Sequence, residues 1–220
     1  MTLKAKYKLE FKIWQIYYDE LSKQSIDKGF IPYNNIGVVS KAYENDVILD
    51  VWSNKRKEWL DVDYVGVLSW RFFEKTKLTA SDVFREVSKA NSPVISLSPI
   101  RMDANDHPYI RVNYKSILDL CKVIDDAKIF DFTLYQYPLK KNIWCNYWIC
   151  SPEIFDLYCC NYLNKVMRFI NTTKDKAALE VLNKTLKHRK GIEYSIVTFF
   201  LEGLFTVFLN EEKIKFTKIN

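Results

Sequence analysis

The residue with the strongest claim to chemistry is one carboxylate set into an apolar run. Glu202 interrupts Phe199-Phe200-Leu201-Glu202-Gly203-Leu204-Phe205-Thr206-Val207-Phe208-Leu209, which reads as a helix apolar nearly all round and therefore buried. Burying an unpaired carboxylate costs on the order of several kcal/mol. Glu202 must then pair with a cation such as Arg71 or Lys165, face solvent, or face a cleft, where carboxyls with raised pKa do acid/base work. Arg71 directly follows an apolar strand, where a guanidinium can grip a diphosphate through two parallel hydrogen bonds. Trp70 beside it could stack on a base or a sugar ring, or simply fill core. Asn34, Asn35 and Asn146 carry amides suited to hydroxyl recognition.

Asp61-Val62-Asp63 has the form D-x-D, through which many sugar-nucleotide enzymes hold manganese or magnesium and a diphosphate. Carboxylates at i and i+2 of an extended segment face the same way and suit one hard cation. The pair precedes a hydrophobic strand here, whereas ligands of parallel α/β sheets collect at the carboxyl ends. A solvated strand cap is the competing reading, and the placement favours it. The two histidines, His107 in an acidic loop and His188 in a basic run, leave little room for triad chemistry.

The elements that must position these groups follow from the pattern. Residues 11–18 are β-branched and aromatic and predict a first strand, and 64–70 predict a strand apolar on both faces, as at the centre of a covered sheet. Shorter strands are predicted at 46–50, 93–97, 144–150 and 213–219. Loops are predicted at 29–35, from a proline and paired asparagines, and at 101–111. Helices are predicted from Ser81-Asp82, over 115–127, from the Ser151-Pro152-Glu153 start to about 170, and over 174–190 and 193–210. Strands alternating with helices, then a helical last third, give one α/β domain over 1–220, a mixed sheet flanked by helices.

Composition closes several routes. Only 5 glycines occur, and neither G-x-G-x-x-G nor G-x-x-x-x-G-K-[ST] is present, so no Gly-rich phosphate cradle is expected. Aromatics at 15% predict a heavy core or an aromatic-lined cleft. Five cysteines without C-x-x-C give neither a disulfide frame nor a zinc site, and point to a reducing compartment. The start of the chain has no apolar h-region, and the run 196–209 is too short to span a bilayer, so a soluble cytoplasmic protein is expected. The net charge of +6 is diluted by 27 acids. Its densest run, Lys184, Lys187, His188, Arg189 and Lys190, reads as a solvated helix end, with an anionic ligand or membrane surface second and nucleic acid last.

In order, three segments resemble a family of small bacterial glycosyltransferase-like proteins encoded among capsule and lipopolysaccharide genes, built on a GT-A-like, Rossmann-like sheet. They are Asp63-Tyr64-Val65-Gly66-Val67-Leu68-Ser69-Trp70-Arg71-Phe72-Phe73, then Asn146-Tyr147-Trp148-Ile149-Cys150-Ser151-Pro152-Glu153-Ile154-Phe155-Asp156-Leu157-Tyr158-Cys159, then Glu202-Gly203-Leu204-Phe205-Thr206-Val207-Phe208-Leu209. The chain departs from the family pattern at Ser69 for a histidine and at Phe72 and Gly203 for arginines. The opening Ile13-Trp14-Gln15-Ile16 is similar to an H-Q-I-W strand of another sugar-transferase group, which adds Gln15 to the substrate-contacting set.

The resemblance implies transfer of a sugar from a nucleotide diphosphate donor to a surface glycan or lipid-linked glycan, beside the inner membrane surface. On that expectation Glu202 is the base or acceptor-orienting acid. Arg71 and Trp70 hold the donor, while Gln15, Asn34, Asn35 and Asn146 contact the sugar. A divalent cation, if used, falls to Asp61 and Asp63. A non-catalytic carbohydrate-binding or assembly protein on the same scaffold is the alternative. A nucleic-acid binder has no motif behind it.

Overall fold

Parallel strands β1 (Phe11–Tyr17), β2 (Ile31–Asn34) and β3 (Tyr64–Ser69) form one half of a six-stranded mixed sheet. The computed structural model describes residues 9–38, 40–98, 108–130, 143, 145–187 and 193–219. Helix α1 (Glu20–Lys23) follows β1. Helices α2 (Glu44–Asn54) and α3 (Arg56–Trp59) lead into β3, and α4 (Phe72–Thr76) and α5 (Ala80–Ala90) leave it for β4 (Val94–Ser96). The chain then forms α6 (Pro108–Asp126), β5 (Trp148–Cys150) and α7 (Pro152–Tyr158), which runs through a π-helical turn at Cys159–Leu163 into α8 (Asn164–Thr172). Helix α9 (Lys176–Leu182), a hairpin of β6 (Thr185–Lys187) and β7 (Glu193–Ser195), α10 (Ile196–Glu211) and β8 (Thr217–Lys218) complete it. The strand order is β2-β1-β3-β5-β4-β8, with β5 antiparallel to both neighbours.

Alternation along the strands divides the core into two layers. Trp14, Ile16, Val65, Val67 and Trp148 face α2, α7, α8 and α10, whereas Ile13, Tyr64, Leu68, Ile95 and Ile149 face the side that holds Phe72, Val83 and Val87. All six residues of β3 are buried, as its unbroken hydrophobicity requires. Its one glycine has a steric reason: a Cβ on Gly66 would collide with the side chain of Ile149 on β5. In the first layer the Trp148 indole stacks on Phe205 of α10 at 3.8 Å between centroids, and Tyr158 meets it edge-on at 5.6 Å. The expected aromatic weight sits largely here.

Several predicted elements need correction. Residues 46–50 belong to α2, where Asn45, Val47, Ile48 and Val51 fall on one buried helical face. The predicted loop at 29–35 contains β2, an edge strand and so tolerant of Pro32. The predicted strand at 144–150 shrinks to three residues, because Cys145 and Asn146 take left-handed φ values of 65° and 53°. The helix predicted over 174–190 stops at Leu182 and the chain turns into the hairpin, whose second strand takes the first residues of the helix predicted at 193. Helix α10 starts at Ile196, where the Ser195 hydroxyl accepts the Val197 N–H. Helix α6 begins at Pro108, seven residues ahead of the predicted start at 115. Most of the loop at 101–111, with His107, and residues 188–190 of the basic run lie outside the described residues.

Candidate active-site recess

Because β1 and β3 are parallel, their carboxyl ends deliver Tyr18 and Ser69-Trp70-Arg71 to the same end of the sheet. Strand β5 runs the other way, so the residues ahead of it, Cys145, Asn146 and Tyr147, arrive there too. The Ile143 N–H donates to Thr206 Oγ1 at 3.0 Å, which ties this approach to α10 and sets it beside Glu202. Glu44 opens α2, after Tyr43 in a strained conformation at φ 48°. Lys75 comes from α4. Its Nζ lies 3.6 Å from Cys145 Sγ and 5.4 Å from the Tyr147 ring centroid.

Glu44, Glu202 and Cys145 are only half-buried at their own surfaces, yet burial is the first cause of the shift in each. This half-buried cluster, at the end of the sheet where β1 and β3 finish, is the candidate recess. Burial, then the neighbouring Glu44 carboxylate, push Glu202 up to about 7, against the pull of Lys75 and a backbone hydrogen bond from Cys145. Glu44 is raised by burial, with Lys75 opposing. Burial and Glu202 push the Cys145 thiol up to about 12, so it is a protonated wall group rather than a nucleophile. Burial raises the hydroxyls of Tyr18 and Tyr147, with Glu44 adding to both. Glu202 can therefore exchange a proton near neutral pH, and the neutral phenols of Tyr18 and Tyr147 can donate hydrogen bonds to a polar substrate.

The recess takes in some of the sequence candidates and leaves others out. Glu202 is at its centre, and the cation beside it is Lys75, neither Arg71 nor Lys165. Asn146 is 1% exposed, and both its amide atoms lack a partner among the described residues. A buried amide left unsatisfied costs about 1–3 kcal/mol per group, which in a native fold calls for an explanation such as a water or a ligand. The Tyr18 hydroxyl is likewise buried and without a partner among the described residues. Arg71 stands at the carboxyl end of β3 but is exposed and spends its guanidinium on Glu74 at 2.9 and 2.6 Å, with Trp70 half-buried beside it at 5.8 Å.

Gln15 is structural. Its Nε2 donates to the Ser69 carbonyl and its Oε1 accepts the Asp27 N–H, so it stitches β1 to β3 and to the turn after α1. Asn34 spends Oδ1 on the Ile36 N–H, and buried Asn35 donates its N–H to the Tyr17 carbonyl, which shapes the turn after β2. Asp61 and Asp63 are exposed at the opposite end of the sheet. Asp63 accepts the Glu10 N–H at 2.7 Å and so caps the entry of β1 and β3. Among the described residues no group of three His, Cys, Asp or Glu side chains is placed to hold a metal.

Ser69 and Phe72, where the chain departs from the resembled pattern, are accounted for by packing. The Ser69 hydroxyl shares a 2.7 Å hydrogen bond with Tyr147, whose ring meets buried Phe72 edge-on at 5.3 Å. Gly203 is buried within α10. Sequence reasoning missed Glu44 and Lys75. Reading residues 46–50 as helix would have put Glu44 in its first turn and drawn attention to it, whereas nothing in the local pattern marks Lys75.

No family model, curated protein or solved structure matches the chain. Among the described residues no helix is long and apolar enough to cross a membrane.

Proposed function

We propose that this protein is a glycosyltransferase on a GT-A-like sheet, moving a sugar from a nucleotide diphosphate donor to a glycan acceptor. The observation that carries the proposal is Glu202: a carboxyl held near 7 in an otherwise apolar helix, over the carboxyl ends of parallel strands. A group with that pKa is suited to take a proton from an acceptor hydroxyl near neutral pH. Lys75 supplies positive charge for a diphosphate leaving group. The amide of Asn146 and the hydroxyls of Tyr18 and Tyr147 are the groups for sugar hydroxyls. Arg71 reaches the donor only by exchanging Glu74 for phosphate. The resemblance in three segments supports the same reading.

Thermal unfolding against UDP-, GDP-, CMP- and dTDP-sugars, with and without manganese, tests it. A donor at 100 times its dissociation constant stabilises by about 2.7 kcal/mol, and Glu202→Gln should keep that shift while losing turnover. A flat panel at millimolar ligand would overturn the enzyme reading, and glycan binding indifferent to Glu202→Gln would replace it with a non-catalytic carbohydrate-binding module.

A further inference from the structure

Glu44 and Glu202 differ from the surface carboxylates in how they are held. On the surface Glu74, Asp82 and Asp156 take Arg71, Arg85 and Arg56 at 2.6, 2.8 and 2.6 Å. In the recess neither carboxyl has such a partner among the described residues. Glu44 turns to its own backbone N–H, and Glu202 accepts the Cys145 N–H. Lys75 is the one cation acting on both among the described residues, and its Nζ lies 3.6 Å from Cys145 Sγ. Arg71, at the same end of the sheet, is committed to Glu74. Two carboxyls from α2 and α10 therefore face a single ammonium from α4, and burial raises both. A second positive charge beside them would relieve that imbalance.

The hydrogen-bonding inventory points the same way. Asn146 has neither amide atom partnered among the described residues, though it is almost wholly buried. In the chain it stands between Cys145, whose N–H holds Glu202, and Tyr147, whose ring centroid lies 5.4 Å from Lys75 Nζ. The Tyr18 hydroxyl is buried, without a partner among the described residues, and within reach of the Glu44 charge. Acceptors outnumber donors in this lining. Two ionised carboxylates, the Asn146 carbonyl oxygen and the Tyr18 lone pairs stand against one ammonium, one amide NH₂ and one hydroxyl proton. An ammonium ligand brings three donors and no acceptor, whereas an anionic group set against Glu44 would meet like charge. The neutral amide and phenols beside the carboxyls suit hydroxyls, so the matching ligand carries both kinds of group.

We infer that the recess takes a protonated primary amine on a polyhydroxyl body, an amino sugar, with Glu44 as the ammonium partner and Asn146, Tyr18 and Tyr147 for the hydroxyls. Glu44 then separates an amino sugar from its N-acetylated or hydroxyl counterpart, which offers that carboxylate no positive charge. On the glycosyltransferase reading, and only on that reading, the amino sugar is the acceptor, and its ammonium offsets the negative charge that a diphosphate brings to Lys75.

Titration of the full chain, followed by amide chemical shifts near neutral pH at constant ionic strength, tests the inference. The probes are glucosamine, N-acetylglucosamine, glucose and butylamine. Glucosamine should bind about tenfold or more tightly than the two neutral sugars, the weight of one charge-assisted hydrogen bond. It should also bind more tightly than butylamine, which lacks the hydroxyls. Glu44→Gln should bring glucosamine down to the affinity of glucose. Lys75→Met removes the competing cation and should tighten glucosamine binding about threefold or more, a gain that loss of a merely structural contact would not produce. If Glu44→Gln fails to fold, Lys75→Met carries the test. Absence of saturable glucosamine binding, equal affinity for glucosamine and glucose, a preference that survives Glu44→Gln, or butylamine binding as tightly as glucosamine would overturn the inference. No nucleotide enters this measurement. An amine preference with a flat nucleotide-sugar panel would sink the proposed transfer alone, and donor binding without an amine preference would sink the amino-sugar site alone.

Discussion

Glu202 and Glu44, distant in the chain, share one recess closely enough that the Glu44 carboxylate helps push Glu202 up to about 7. The Glu44 carboxylate therefore disfavours ionisation of Glu202, and Lys75 opposes it. A general base at Glu202 must be ionised, so turnover should rise with pH along a limb centred near 7. Glu44→Gln removes one cause of the raised value and should move that limb to lower pH. A pH-rate profile of both proteins checks this, and an unmoved limb would separate Glu44 from the titration.

The same shift sets a stability slope. Glu202 goes from an ordinary value of 4.5 to about 7 in the fold, so between those values the native state holds more protons than the unfolded chain. Stability contributed by protonated Glu202 is present below about 4.5 and lost as pH rises through about 7. The full loss is on the order of 3 kcal/mol, reduced by the partial exposure of the side chain. Glu202→Gln should flatten the curve and be more stable than the parent above neutrality. Chemical denaturation at several pH values measures it.

How far the sequence reaches is clearest at the strands. Residues 11–17 were legible because they are rich in β-branched and aromatic residues, and 64–69 because their hydrophobicity is continuous over the length of a strand. Glu202 was legible because a charge in an apolar helix is costly whatever the fold. The turn at Cys145 and Asn146 was not, because two consecutive non-glycine residues at positive φ defy local propensity and are held by surrounding structure. Gln15 misled for a related reason. A buried amide meets a substrate or the backbone equally well, and only the pairing of β1 with β3 shows that Ser69 and Asp27 satisfy it. Residues 46–50 form a short apolar run whose period fits either element, and tertiary burial of one helical face decided it.

Asp63 offers a clean separation of structure from chemistry. Its carboxylate caps the Glu10 N–H at an exposed site, so Asp63→Ala should cost about 1 kcal/mol of stability. It should leave nucleotide-sugar affinity and its manganese dependence unchanged, and Asp61→Ala should affect neither quantity. A donor affinity that collapses in Asp63→Ala without a change in melting temperature would return the D-x-D pair to the binding site.

Gly66 should be the least replaceable glycine of the sheet. A methyl group there meets the Ile149 side chain and the Trp148 carbonyl across the β3–β5 contact, where neighbouring backbone cannot move aside. Gly66→Ala should destabilise by about 1–3 kcal/mol, the usual range for overpacking. Trimming Ile149 to alanine should recover part of that loss, because it removes Cγ2, the carbon that the new methyl group would strike. The expected signature is a double variant more stable than the sum of the single changes predicts, a coupling of roughly 0.5 kcal/mol or more. Urea denaturation of the four proteins measures it. Simple additivity would mean that Gly66 is constrained by the backbone of β5 rather than by its side chains.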